Sequence, residues 1–278
     1  MSSPAPLPPV AIAVAPNGGR RTKADHPALP ITPAELATCA AECLEAGAAM
    51  IHVHVRDRDG RHLLDADAYR TATEAIRAAV GEQMVLQVTS ESLGYYEPAA
   101  QAAVVRELRP EAVSLALREF LRGPEDEGDF AALLTWLKEA EVLPQIILFA
   151  PEEMAQLQAL FQRGLIPWDD VPILYAIGRY KTGQTATPEE LVPFLEMPQP
   201  CHWMACAFGQ QEASVLTAAA LMGGHVRTGF ENNFALPDGS MAASNADLVR
   251  AVARPLTALG RQIETGEALR ERWRQLAG

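Results

Sequence analysis

The chain has 278 residues, with 23 Lys+Arg against 35 Asp+Glu and a formal net charge of −12, a balance that argues against a nucleic-acid backbone or an anionic membrane surface as partner. No run of about 18 uncharged apolar residues offers a membrane-spanning helix, and the proline-rich opening through Pro9 lacks the basic and apolar regions of a secretion signal. Apolar residues make up 49%, enough for a sizeable core, and four cysteines without a Cys-x-x-Cys spacing read as structural thiols of a reducing, cytoplasmic compartment.

Strand and helix signals alternate from one end to the other. Val10 to Val14 reads as a buried strand, and Thr32-Pro33-Ala34-Glu35 is a capping box with proline at the first helical position, opening a helix that Gly47 ends. Met50 to Val55 is the second strand and Asp65 to Val80 the second helix; Val85 to Thr89 is followed by a helix from about Pro98 to Leu108. Ala112 to Ala116 precedes a helix over Phe130 to Ala140, and Gln145 to Phe149 one near Glu153 to Gln162. Val171 to Ile177 leads to the capping box Thr187-Pro188-Glu189-Glu190, and Trp203 to Phe208 to an Ala/Leu-rich helix ending near Met222. Cys201 and Cys206 are an odd number apart along this seventh strand, so they face opposite ways, whereas Cys39 and Cys43 share a helix face. His225 to Arg227 is the last strand; a helix opens at Ser244 with Asp247 closing its box, and a final helix covers about Gly266 to Leu276.

Eight strand–helix units in this length predict an α/β fold of the (β/α)8 TIM barrel type, with residues 1–278 as a single domain and residues 1–9 as a proline-rich N-terminal segment. The strands are continuous apolar runs, as expected for a parallel sheet buried on both faces. An open doubly wound sheet uses the same grammar, but no Gly-rich fingerprint follows the first strand.

A barrel puts its chemistry at the C-terminal ends of the strands. His52 and His54 are two apart on the second strand and share a face, so both imidazoles can enter the mouth. Glu231, beyond a Gly229 turn after the eighth strand, can bring a carboxylate to the same rim. Two histidines and one carboxylate leave positions open on a divalent metal, the arrangement of a catalytic ion. His202 and His225 sit at strand starts, on the stability face, and His26 and His62 fall in loops. Arg227 is placed either to stabilise a developing enolate or to orient Glu231. Thr89, Ser92 and Ser114 supply small hydroxyls at the rim, and the loops bearing Arg20 and Arg118 supply guanidinium forks suited to carboxylates or phosphates. The run Gly178 to Thr185 nearly matches a P-loop, but Gln184 stands where the essential lysine belongs. A competing reading is a Schiff-base aldolase acting through Lys181, which leaves both histidines and Glu231 without a task. Another is a non-catalytic, metal-dependent binding protein for small molecules.

The stretch Ala15-Pro-Asn-Gly-Gly-Arg20, the segment Ile51-His52-Val-His54-Val-Arg-Asp57, Gly223-Gly-His-Val-Arg227-Thr-Gly-Phe-Glu231-Asn-Asn233, then Leu236-Pro-Asp-Gly and Ser244-Asn-Ala together resemble the β-keto acid cleavage enzymes, whose best-known branch cleaves 3-keto-5-aminohexanoate. The resemblance implies a zinc-dependent TIM barrel, usually a homotetramer, that converts a β-keto acid and acetyl-CoA into acetoacetate and a new acyl-CoA. It also implies that His52, His54 and Glu231 hold Zn2+ or another divalent metal, that Thr89, Ser92 and Ser114 touch substrate, and that Arg227 assists the chemistry. Three residues depart from the aminohexanoate branch: Arg20 replaces a glutamate that holds the substrate amino group, Asn232 an aspartate paired with the arginine, and Glu91 a glycine. Like charges in a shielded pocket cost several kcal/mol, so Arg20 argues for a neutral or anionic tail, read with the help of Arg118. Asn232, a neutral amide, cannot take a proton, which leaves Glu91 or a water on the metal as candidates for the base.

Overall fold

Eight parallel strands close on themselves: β1 (Ile12–Val14), β2 (Met50–Val53), β3 (Val85–Thr89), β4 (Ala112–Ala116), β5 (Leu143–Leu148), β6 (Ile173–Ile177), β7 (Trp203–Ala207) and β8 (His225–Thr228). Each pairs with its neighbours in sequence and β8 returns to β1, with Ala13 opposite Arg227 on one side and Met50 on the other. The fold is therefore the (β/α)8 TIM barrel. It is seen here in a computed structural model that describes residues 8–180, 183, 185–196 and 202–277. The proline-rich residues 1–7, Lys181, Gln184 and Cys201 lie outside the described residues.

The longer helices are α1 (Pro33–Glu45), α2 (Ala66–Val80), α3 (Pro98–Leu108), α4 (Glu127–Glu139), α5 (Pro151–Gln162), α6 (Glu212–Leu221), α7 (Asn245–Ala258) and α8 (Gly266–Ala277). The cap signals work as chemistry predicts: Thr32 Oγ1 accepts from the Glu35 N–H at 3.3 Å while Glu35 Oε2 accepts from the Thr32 N–H at 2.9 Å. The sixth unit departs from a full helix. After Thr187 its described residues make a 3₁₀ turn (Pro188–Leu191) and one α turn (Val192–Leu195), where Pro188 and Pro193 each lack an N–H donor.

The second strand is also shorter than its apolar run. It ends at Val53, and the chain then folds into a hairpin of Val55–Arg56 against His62–Leu63. Asp57 Oδ1 accepts from the N–H groups of Asp59 and Arg61 at 2.9 and 2.8 Å, making the tight turn that places His62 in a strand rather than a loop.

Between strands and helices lies a large aliphatic core. Inside the barrel a second cluster contains Ala13, Met50, Val85, Leu143, Leu174 and Met204, closed at the floor by Leu269 and Trp273 of α8. The floor is packed, with Trp273 against the stacked His202 and His225, and a second set of polar side chains from the strands gathers at the mouth.

Candidate metal centre at the barrel mouth

β2 delivers His52, and His54 follows just past its end; each is 1% exposed. Their Nε2 atoms lie 3.2 Å apart. His52 Nδ1 donates to Gln87 Oε1 at 2.8 Å, and Gln87 Nε2 donates onward to Gln145 Oε1 at 3.1 Å. This buried amide relay fixes the His52 tautomer and turns the Nε2 lone pair toward the mouth.

Glu231 arrives from the loop after β8. Its Oε1 is 3.6 Å from His54 Nε2 and its Oε2 is 3.9 Å from His52 Nε2. Two glycines make the approach possible. Gly229, at φ +138°, passes so close to β1 that a Cβ there would lie 2.3 Å from the Ala15 carbonyl oxygen, and a Cβ on Gly18 would lie 2.6 Å from Glu231 Cγ. Arg56 then pins the first loop from below, donating through Nε to the Gly18 carbonyl at 3.0 Å and through Nη2 to the Arg21 carbonyl at 2.9 Å.

One ligand atom from each of His52, His54 and Glu231 lies within 4.8 Å of the other two. Two ligands about 2.1 Å from an ion at the tetrahedral angle sit about 3.4 Å apart. The histidine pair is near that spacing, whereas each carboxylate oxygen approaches a different histidine, so Glu231 has to turn and close in to share an ion with both. Burial, reinforced by the nearby Arg227 guanidinium, holds the His52 pKa well below its usual range, so the ring is neutral and able to ligate. Burial pushes Glu231 up, but Arg227 and the two histidines outweigh it and keep the group an anion. Glu231 Oε2, His54 Nδ1, Ser114 Oγ and two nitrogens of Arg227 are all buried with no hydrogen-bond partner among the described residues. Such a concentration of unpaired polar atoms marks a place suited to a ligand. Two imidazoles and a carboxylate suit a zinc-like divalent ion with an open position.

A cavity of about 400 Å³ opens here, lined on its polar side by His52, Thr89, Glu91, Ser114, Arg227 and Glu231 and on the other by small and aromatic apolar residues. Arg227 Nη2 is 3.8 Å from Glu231 Oε2 and 3.6 Å from Cys206 Sγ. Glu91 faces His54, its Oε2 3.9 Å from Nδ1, and its other oxygen accepts from Arg179 at 3.2 Å. A second cavity, of about 530 Å³, shares Glu231 and Arg179 and holds Arg20, Arg21 and Asp25.

Four sequence-predicted residues line neither cavity: His54, which lies behind His52 and Glu231, and Ser92, Arg118 and Asn232. The Ser92 N–H donates to Glu119 at 2.9 Å and its hydroxyl accepts from Gly94. Arg118 donates to Glu153 at 2.6 Å, its guanidinium 4.7 Å from the Phe149 ring centre and 4.8 Å from that of Tyr180. Asn232 donates to Glu212 at 3.4 Å and to the Arg227 carbonyl at 3.5 Å. Sequence reasoning passed over Gln87, Gln145, Arg56, Arg179 and Glu212. His62, whose Nε2 contacts the Glu91 carbonyl at 2.7 Å, is another residue brought to the site from outside the predicted set. Burial and the adjacent His54 hold His62 down to about 3, so it too is neutral.

Comparison with known proteins places residues 9–274 on the sequence profile of the beta-keto acid cleavage enzyme family. A 3-keto-5-aminohexanoate cleavage enzyme of Fusobacterium nucleatum subsp. nucleatum is 29% identical over 260 residues, 91% of this chain and 93% of that protein. A 3-oxoadipate:acetyl-CoA acetyltransferase of Cupriavidus necator is 29% identical over 266 residues, 92% of each. Among solved structures, a ternary complex of ObcA with a C4-CoA adduct and oxalate superposes with a TM-score of 0.71 at 18% identity, covering 89% of this chain and 67% of that one. The chain spans 65% of the ObcA chain in its apo structure, which superposes with a TM-score of 0.70 at 16% identity and 89% of this chain covered, a likeness of fold.

Proposed function

The chain belongs to the β-keto acid cleavage enzyme family, and from that premise we propose that it exchanges acyl groups between a β-keto acid and acetyl-CoA, giving acetoacetate and a new acyl-CoA. The convergence of His52, His54 and Glu231, with His52, Glu231 and Arg227 lining one cavity, carries this reading. These three residues would hold a divalent ion, zinc in the first instance, which as a Lewis acid lowers the cost of negative charge on the keto acid's ketone and carboxylate oxygens.

The chain's own residues do the rest. Thr89 and Ser114 offer hydroxyls to the bound keto acid from the β3 and β4 ends. Glu91 is the chain's candidate base for the proton on the carbon between ketone and carboxylate. That carbon attacks the acetyl thioester and CoA thiolate leaves; the thiolate adds to the original ketone carbon, and the bond from that carbon to the attacking carbon breaks, giving the new acyl-CoA and the enolate of acetoacetate, which takes the proton back from Glu91. Arg227, with Nε and Nη1 unpartnered and buried, faces the oxyanions that form on the way. Arg20 lines the cavity on the far side of Glu231, where it favours a neutral or anionic distal group. Arg118, committed to Glu153, would read that group only by leaving its present partner. The reading extends to a cytoplasmic homotetramer, supported by the family resemblance and by free, buried thiols at Cys39, Cys43 and Cys206.

The test is a panel of β-keto acids with acetyl-CoA, monitored for acetoacetate with and without added zinc. The expected result is metal-dependent turnover favouring dicarboxylic or uncharged-tail acids. Preference for an amino-bearing acid, undiminished in Arg20→Ala, would contradict the tail assignment.

A further inference from the structure

Glu212 opens α6 and is 1% exposed, yet the proposed chemistry gives it no task. Its side-chain partners are neutral and come from the end of β8 and the loop after it. Thr228 Oγ1 donates to it at 2.8 Å, and the side-chain amides of Asn232 and Asn233 donate at 3.4 Å each. These three residues bracket Glu231 in sequence. The Asn232 amide also reaches the Arg227 carbonyl at 3.5 Å, so one side chain ties Glu212 to both ends of the turn that carries the carboxylate ligand.

We infer that Glu212 and Asn232 work as one acid–amide pair that positions Glu231, and that the pair accommodates a single carboxylate, on either of the two residues. The chemistry of the partners imposes this. An amide at position 232 donates and a carboxylate at 212 accepts; two carboxylates would face each other across a gap of 3.4 Å with no cation between them. Two amides would leave one of the three donors around position 212 opposed by another donor. The site has little tolerance for added charge, since burial has already pushed Glu212 up to about 8. Exchanging the two groups keeps one acceptor and one donor at the same contact.

The inference rests on Glu231 being a metal ligand, and its test keeps the two claims apart. Zn2+ affinity, by competition with a chromophoric chelator, and the visible spectrum of bound Co2+ are measured for the wild type, Glu212→Gln, Asn232→Asp and the double variant E212Q/N232D. Each single variant is expected to bind about tenfold or more weakly, the size seen when a group orienting a ligand is lost, with an altered Co2+ spectrum. The double variant is expected to return to within about threefold of wild type with the wild-type spectrum, a recovery that simple loss of packing cannot produce. If either single variant fails to fold, the double variant carries the test alone: a wild-type spectrum supports the pair, and its failure overturns it. Single variants that bind like the wild type, or losses that add in the double variant, overturn the inference while leaving the metal reading intact. A wild type that binds neither ion overturns the metal reading and this inference with it.

Discussion

The two ends of the barrel hold the same kinds of residue and do different things with them. At the mouth, His52 and His54 meet edge to face, their planes 76° apart, so two ring nitrogens can point at one spot beside Glu231. At the floor, His202 and His225 stack face to face, 4.1 Å apart and only 16° from parallel, with Glu264 nearby. Stacked rings send their in-plane lone pairs along separate planes and cannot converge on an ion. Some of the floor's polar atoms are engaged: His225 Nδ1 accepts the Ala11 N–H at 2.9 Å, and Glu264 Oε1 accepts from Arg272 at 2.6 Å. Both His202 nitrogens and Glu264 Oε2 are unpartnered among the described residues, so ring orientation, rather than residue type or hydrogen bonding, separates a candidate metal centre from a structural plug.

The comparison breaks if a floor substitution disturbs metal binding or a mouth substitution unfolds the protein. The largest effect belongs to the floor. Trp273, 1% exposed and packed edge-on to His202 at 5.4 Å, should cost about 3–5 kcal/mol of stability as Trp273→Ala, read by chemical denaturation, with Zn2+ affinity unchanged where the protein remains folded. Next comes Glu231→Gln at the mouth. Sharing the roughly 10–16 kcal/mol of a four-ligand zinc site among its ligands assigns about 3 kcal/mol to each, so affinity should fall about a hundredfold or more. Its apoprotein melting temperature should fall by a few degrees, because the substitution leaves the buried Arg227 guanidinium without the carboxylate 3.8 Å away.

A smaller effect separates the two ends by pH. Burial, with Arg272 and Arg261 nearby, holds His225 down to about 3, against about 6.5 in an unfolded chain. Below 6.5 the unfolded chain takes up a proton that the folded floor refuses, so stability falls as pH drops from 6.5 toward 3, by about 2 kcal/mol at pH 5. Denaturation curves across that window should show the decline in the wild type and a shallower one in His225→Asn. An equal decline in both would remove His225 from the account. The smallest effect sharpens the mouth: Gln87→Leu deletes the acceptor for His52 Nδ1 and should weaken Zn2+ binding about tenfold, with kcat at saturating metal changed less than the affinity.

The barrel was legible because each strand is a compact β-branched or alanine-rich run and some of the helices announce themselves with a cap, as at Thr32, Asp65 and Ser244. The ligand trio was legible for a different reason: the two-residue strand period puts His52 and His54 on one face whatever the rest of the fold does. What stayed hidden were single polar residues inside apolar strands or at helix starts. Nothing in the spacing of Gln87, Gln145 or Glu212 distinguishes a buried relay from an exposed side chain, because their partners lie 58 residues away for Gln87 with Gln145 and 20 for Glu212 with Asn232. Arg118 shows the converse. An arginine at the rim invites a substrate role, but Glu153 and two aromatic rings, all supplied by later units, engage it first.

The central claim is that one cation is held where β2 and the β8 loop meet, and titrating the metal-stripped protein with Zn2+ in a calorimeter tests it most directly. The account predicts one ion per chain for the wild type and loss of that binding in His52→Ala and His54→Ala alike. Absence of binding in the wild type, or binding that survives both replacements, would contradict it.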